Sequence, residues 1–301
     1  MLSHKHHNES QPLFYRFSWL HLMRPPTWSG TISPVLAAAA FAAKKASMRP
    51  GALLTMLIAS VLIQSAVNML NDYFDRLRGQ DGDKWTDTPG HGPAHRLIPA
   101  AAGVMLVAAG ALGGYLAWQS HIAVAWVGVV AIACGIAYSA GPRPLAALGL
   151  GELTAAICMG PVITMLAYAV HGHAPDAAVF ALSIPFAFLI ASMILTNNIR
   201  DIEKDRPFRR TLAMRLGRRN AVRLLVLLLV SAYLSIAALI VWHVVPLFAA
   251  MTGLALPLAI RLCLCFRPGA SQAEQANGMK WAARHHWAAG LLLALSLWLS
   301  L

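Results

Sequence analysis

Asp72, Asp75, Asp81, Asp83 and Asp87 crowd one short stretch of this chain, and Asp201, Glu203 and Asp205 crowd another; these are eight of only twelve acidic residues in the sequence. The first stretch reads NMLNDYFDRLRGQD, which sets Asn68, Asn71, Asp72 and Asp75 three and four residues apart. At about 100° per residue these side chains share one helical stripe roughly 100° wide. The second reads TNNIRDIEKD and places Asn198, Asp201 and Asp205 on a similar stripe about 60° wide. Two carboxylate faces can therefore oppose each other across a cavity.

Hard oxygen ligands from Asp and Asn suit magnesium, which takes one or two carboxylates, keeps several waters and completes its shell with substrate phosphates. Neither cluster offers His or Cys ligands, which argues against zinc or copper. Basic residues accompany both: Arg76, Arg78, Lys84 and Arg96 follow the first, and Lys204, Arg206, Arg209, Arg210 and Arg215 accompany or follow the second. Guanidinium groups hold phosphate oxygens through paired, charge-assisted hydrogen bonds. Arg78, Lys204, Arg209 and Arg210 are thus candidates for holding a diphosphate. Basic loops also have a plainer role, setting topology and meeting anionic lipid, which suffices for Arg218, Arg219, Arg267 and Arg284. For Arg209 and Arg210 both readings stay open.

The elements that must position these groups are membrane helices. The chain is 58% hydrophobic and 12% charged, where soluble domains carry about 25% charged residues. Apolar runs long enough to cross a hydrocarbon core recur at roughly residues 20–43, 51–74, 97–119, 121–139, 150–170, 177–199, 220–242, 244–265 and 283–301. This predicts an all-α polytopic membrane protein of about nine transmembrane helices, as one integral-membrane domain over 17–301 behind a polar, mobile tail at 1–16. No short apolar stretch with a cleavage site precedes the first span, so a cleavable leader is not expected. The formal charge of +12 would suit nucleic acid, but its distribution follows membrane topology instead. With the N-terminus inside and the C-terminus outside, every Lys and Arg except Lys44, Lys45 and Arg49 falls on the inner side.

In that orientation both acidic spans run inward, so the carboxylates sit at helix C-termini. There the macrodipole is already negative and favours cations. Charge near hydrocarbon also costs a few kcal/mol and marks functional paths. A lone Asp at such a place is ordinarily a solvated interface residue; two opposed clusters need a positive partner. Arginine or lysine could supply it, yet most stand just beyond the clusters, and a divalent cation fits better. Cys134, Cys158, Cys263 and Cys265 lie within spans without zinc-type spacing and read as packing residues. His4, His6 and His7 read as part of the solvated tail.

These motifs make the chain resemble the UbiA superfamily of membrane prenyltransferases, through NDYFD (Asn71, Asp72, Asp75) and the pair Asp201 and Asp205. It is most similar to the branch that prenylates 1,4-dihydroxy-2-naphthoate in menaquinone synthesis. RPPTWSGTISPVLAAA (24–39), NMLNDYFDRLRGQD (68–81), YSAGPRPLAALGLGEL (138–153), GPV (160–162) and NNIRDIEKDRPFRRTLAMRLG (197–217) occur in that order. The resemblance implies a helical bundle around a central cavity that opens sideways to lipid, with two magnesium ions binding a polyprenyl diphosphate. Asn71, Asp72 and Asp75 would serve one ion and Asp201 and Asp205 the other. Asn68, Asn197 and Asn198 would support ligands or substrate, Arg143 and Arg210 would contact diphosphate, and Tyr138 would line the acceptor side. Carbon–oxygen cleavage would leave an allylic cation, which the electron-rich aromatic acceptor attacks; the naphthoate branch also loses carbon dioxide. Where many members carry a third aspartate this chain has Gly79, and Asp81 is the nearer equivalent. Another phenolic acceptor fits the same residues. A cation transporter would instead place its acids near mid-membrane, in interrupted helices.

Overall fold

The computed structural model describes residues 13–45 and 47–301. Its long helical segments, in chain order, are α1 (Ser29–Lys45), α2 (Pro50–Leu77), α3 (Ile98–Gln119), α4 (Ala123–Ser139), α5 (Gly151–Ala169), α6 (Ala177–Arg200), α7 (Arg218–Val241), α8 (Leu247–Leu264) and α9 (Gly278–Trp298). Among the described residues, six of these are long and apolar enough to cross a membrane: α2, α3 counted from His95, α5, α6, α7 and α8. The others fall short of that standard. Helix α4 is apolar but spans 17 residues, and α9 carries Lys280 and Arg284 in its first turns.

Helix α1 is short for a local reason. The stretch from residue 20 breaks into a helix at Trp19–Met23, Arg24 in the left-handed region at φ 54°, a 3-10 turn at Pro25–Thr27, and only then α1. Pro25 and Pro26 lack the amide hydrogen a helix needs, and a proline pushes its predecessor out of the right-handed α region.

Helix α6 is the most enclosed element. Leu182, Phe186, Leu189, Ile190, Met193, Leu195 and Ile199 are all buried along it. Its start is fixed by Asp176, whose carboxylate accepts from the backbone N–H groups of Ala178 and Val179, each at 3.0 Å. Helices α3 and α4 do the reverse: Val104, Val107, Trp118, Trp126, Val129 and Val130 face outward and exposed, a surface that hydrocarbon rather than water would cover. Helix α5 contains one π-turn, Cys158–Val162, around Pro161. Gly160 lets it touch α6, for a Cβ there would lie 2.6 Å from Ala187 Cβ and 3.0 Å from its backbone nitrogen. No larger residue fits without moving a helix.

Residues 1–12 of the expected tail, with His4, His6 and His7, lie outside the described residues. Beyond them the chain is not a free tail: Phe14–Tyr15 pairs antiparallel with Trp85–Thr86. Tyr15 is buried, its ring edge-on to Trp85 at 5.2 Å. All four cysteines are free thiols, half-buried except for the buried Cys265.

Candidate active site

The two acidic segments meet at one cavity of about 1190 Å³. Asp72 and Asp75 come from the last two turns of α2, while Asp201 and Asp205 come from just beyond the end of α6. The chain kinks at Asp201, which leaves helical geometry at ψ 11°. The Asp205 N–H nonetheless bonds to the Asp201 carbonyl at 2.8 Å, so a helix-like spacing carries both carboxylates onto the cavity. Asn68, Asn71, Tyr138, Asn197 and Asn198 line it too. Away from the acids the wall is largely apolar, with Met56, Ile63, Val67, Ile163, Leu166 and Met193 among the lining residues.

The basic residues are not simply beyond the clusters, as their place in the sequence suggests; they fold back onto them. Arg24 Nη2 donates to Asp72 Oδ1 at 2.8 Å and to Asn71 Oδ1 at 3.1 Å. Lys84 Nζ meets the same Asp72 oxygen at 2.7 Å and Asp81 at 2.7 Å. Arg209 stands between the two clusters, 3.3 Å from Asp75 Oδ2 and 3.2 Å from Asp205 Oδ2. Lys204 pairs with Asp81 at 2.6 Å, and Arg200 Nε with Asp201 at 2.8 Å. Burial would raise the Asp81 carboxyl, but Lys84 and Lys204 together hold it well below the usual carboxylate range. At Asp205 burial prevails over the pull of Arg209, and the carboxyl is pushed up to about 6.

The amides are anchored as well. Asn68 donates to the Met23 carbonyl at 3.0 Å and to Thr27 at 3.1 Å, and Asn71 donates to Ser139 at 3.0 Å. Asn197 accepts from Arg200 at 2.8 Å. Tyr138 places its hydroxyl against Gly151. Of the basic residues singled out from sequence, Arg209 and Lys204 line the cavity and Arg78 comes within 3.6 Å of Asp75. Arg143 and Arg210 are exposed and are not among the lining residues.

A scan of family models matches residues 31–284 to the UbiA prenyltransferase family. The chain belongs to that family. Curated relatives agree. The 1,4-dihydroxy-2-naphthoate octaprenyltransferase of Bacillus subtilis is 30% identical over 93% of this chain and 91% of its own length. The Mycobacterium tuberculosis protein of the same name is 33% identical over 83% and 86%. Among solved structures, an apo UbiA homolog from Aeropyrum pernix superposes with a TM-score of 0.66 over 94% of this chain and 99% of that one, at 15% identity. A UbiA homolog from Archaeoglobus fulgidus bound to DMAPP and Mg2+ gives 0.58 over 93% and 100%, also at 15%. These likenesses show the fold.

Whether this UbiA member's own residues suit a magnesium ion can be judged from its orphaned oxygens. Among the described residues, Asp72 Oδ2 is buried without a hydrogen-bond partner. Asp205 Oδ2 likewise lacks one, because the Arg209 Nε beside it is near enough for attraction but misaligned for a hydrogen bond. Buried carboxylate oxygens without a donor are costly, and a hard cation satisfies them. Among the described residues no three of His, Cys, Asp and Glu gather into a ready cage. Magnesium, which relies on water and phosphate for much of its shell, does not require one.

Lys84 stands among the basic residues that follow the first cluster and Arg24 heads the 24–39 motif, yet spacing alone pairs neither with Asp72 and gives Glu152 no role. Arg24 and Lys84 reach Asp72 from residues 48 and 12 positions away. Glu152, on α5, is buried and accepts from the Asn198 amide at 2.8 Å, while its Oε2 has no partner. A carboxylate inside an apolar run was a signal for Glu152. For Arg24 the only local hint was the double proline that follows it.

Proposed function

We propose that this protein transfers a polyprenyl group from its diphosphate to 1,4-dihydroxy-2-naphthoate, with loss of carbon dioxide, as a step of menaquinone biosynthesis. One observation carries this: two carboxylate ledges share the polar end of a cavity whose remaining wall is largely apolar. That is the shape a metal-bound diphosphate with a long hydrocarbon tail requires. The names of the relatives above support the naphthoate as acceptor.

In this reading Asn71, Asp72 and Asp75 would hold one magnesium ion and Asp201 and Asp205 a second, which would supply stabilisation of negative charge on the departing diphosphate. Arg24, Lys84, Lys204 and Arg209 would offer their donors to the diphosphate oxygens, with Arg78 behind Asp75. Such preorganised donors act where charge develops, in a site shielded from water. Arg143 and Arg210 would contribute only by swinging inward from the surface. Asn68, Asn197 and Asn198 position ligands and substrate, and Tyr138 borders the acceptor. The apolar wall keeps water from the allylic cation until the ring attacks. Residues 17–301 act as one membrane domain of about nine crossings, with the N-terminus and the site facing the cytoplasm of a bacterial cytoplasmic membrane, as the distribution of positive charge favours.

The test is turnover by the purified protein with Mg2+, a long-chain prenyl diphosphate and a panel of hydroxylated aromatic acids. The expected result is prenylated naphthalenediol and carbon dioxide from the naphthoate, lost on chelation. Product only from a benzoate or another phenol would refute the acceptor, and cation flux across liposomes without diphosphate release would refute the enzyme.

A further inference from the structure

Two cavity-lining cations stand outside the ion pairs that surround the carboxylate ledges. Arg24, Lys84, Arg200, Lys204 and Arg209 line the cavity, and each is paired with a carboxylate. Lys280 and Arg284 line it as well, and among the described residues neither has a carboxylate within ion-pair distance. They are one helical turn apart on α9, and Trp287 continues the same cavity-lining stripe.

The Arg284 guanidinium is held in place. It lies over the Trp281 ring, 5.1 Å from the centroid, and Arg261 takes the same ring at 4.9 Å. Helix α9 also packs against the Pro25–Thr27 turn, the turn that follows Arg24. A basic residue at a membrane rim would ordinarily serve only water or headgroups. These two border the cavity, with an indole next along the helix.

We infer that Lys280 and Arg284 form an anion subsite for the carboxylate of an aromatic acceptor, with Trp287 against the acceptor's ring. This rests on the reading of the chain as an aromatic prenyltransferase. In that reading the carboxylate ledges and Arg24, Lys84, Lys204 and Arg209 serve the diphosphate, whereas the second substrate of that reaction needs its own recognition. A guanidinium beside an ammonium provides charge-assisted donors for a carboxylate, and an indole face provides the apolar surface for a planar ring. Holding the carboxylate at one edge fixes which ring carbon faces the donor.

The experiment compares 1,4-dihydroxy-2-naphthoate with 1,4-dihydroxynaphthalene, which lacks the carboxylate, in full-length protein in nanodiscs of neutral lipid with Mg2+ and a polyprenyl diphosphate. The wild type should prefer the carboxylated acceptor. The double variant K280Q/R284Q should lose about tenfold or more of that preference, through the acceptor's KM and without change in the donor's KM. R284K should keep most of it. An unchanged preference would overturn the assignment, as would a rise in the donor's KM, which would give the pair to the diphosphate. Equal loss on both acceptors that anionic lipid restores would overturn it in favour of a headgroup site. Failure of the wild type to prenylate either acceptor would overturn both this subsite and the function it rests on.

Discussion

The two acidic clusters do the same kind of work from different foundations. Asp72 and Asp75 ride on a helix that runs unbroken from Pro50 to Leu77, and Asp72 is only 1% exposed. Two strong cations, Arg24 and Lys84, close on one of its oxygens. Asp201 and Asp205 stand beyond the kink at the end of α6, and among the described residues Asp205 has only a misaligned Arg209 for company. Asp72 is thus largely neutralised by the protein itself, whereas Asp205, unlike Asp201 with its Arg200 partner, is left short of positive charge, and burial lifts it to about 6. Positive charge supplied from outside has more to do at Asp205 than at Asp72.

The severest way to break this comparison is Asp72→Ala against Asp201→Ala. Each should lower prenyl transfer about a thousandfold or more while the protein still folds and inserts, as judged by product formation and size-exclusion behaviour. Near-normal turnover in either variant would show that its ledge holds no essential ion. Next comes Arg209→Ala, which strips the residue shared by both clusters. It should cost about 3 kcal/mol of stability without divalent metal, and Mg2+ should raise its melting temperature more than it raises that of the wild type. An identical Mg2+ shift in both proteins would mean that metal and Arg209 do not share those carboxylates.

Glu152→Ala should cost about 1–3 kcal/mol, because it leaves the buried Asn198 amide without its acceptor. Glu152→Gln should recover much of that, measured by urea or thermal unfolding in detergent. The smallest effect belongs to Lys204→Ala. Its pairs with Asp81 and Asp83 are partly exposed, so stability should move by no more than about 1 kcal/mol, even if transfer slows through lost diphosphate contact. A large stability loss would show that the outer rim of the site is structural.

Much of this site was legible without coordinates because the decisive pattern is local. Asn68, Asn71, Asp72 and Asp75 fall on one stripe for no reason beyond helical periodicity, and the structure keeps them in one helix lining one cavity. Arg143 and Arg210, carried over from the family's motifs, lie outside the lining. A loop's path depends on what it packs against, which spacing along the chain does not encode. The first apolar run likewise reads as one span by length, but local proline chemistry at Pro25 and Pro26 splits it and turns Arg24 onto Asp72.

What the sequence determined by itself was the family, the helical body and the identity of the two carboxylate ledges, since periodicity, apolar length and charge placement are properties of neighbouring residues. Only the tertiary structure decided which cations meet those carboxylates, that Glu152 grips Asn198 across 46 residues, and that Lys280 and Arg284 line the cavity without an acidic partner among the described residues. Each of those is a contact between distant segments, fixed by the packing of whole helices rather than by the few residues on either side.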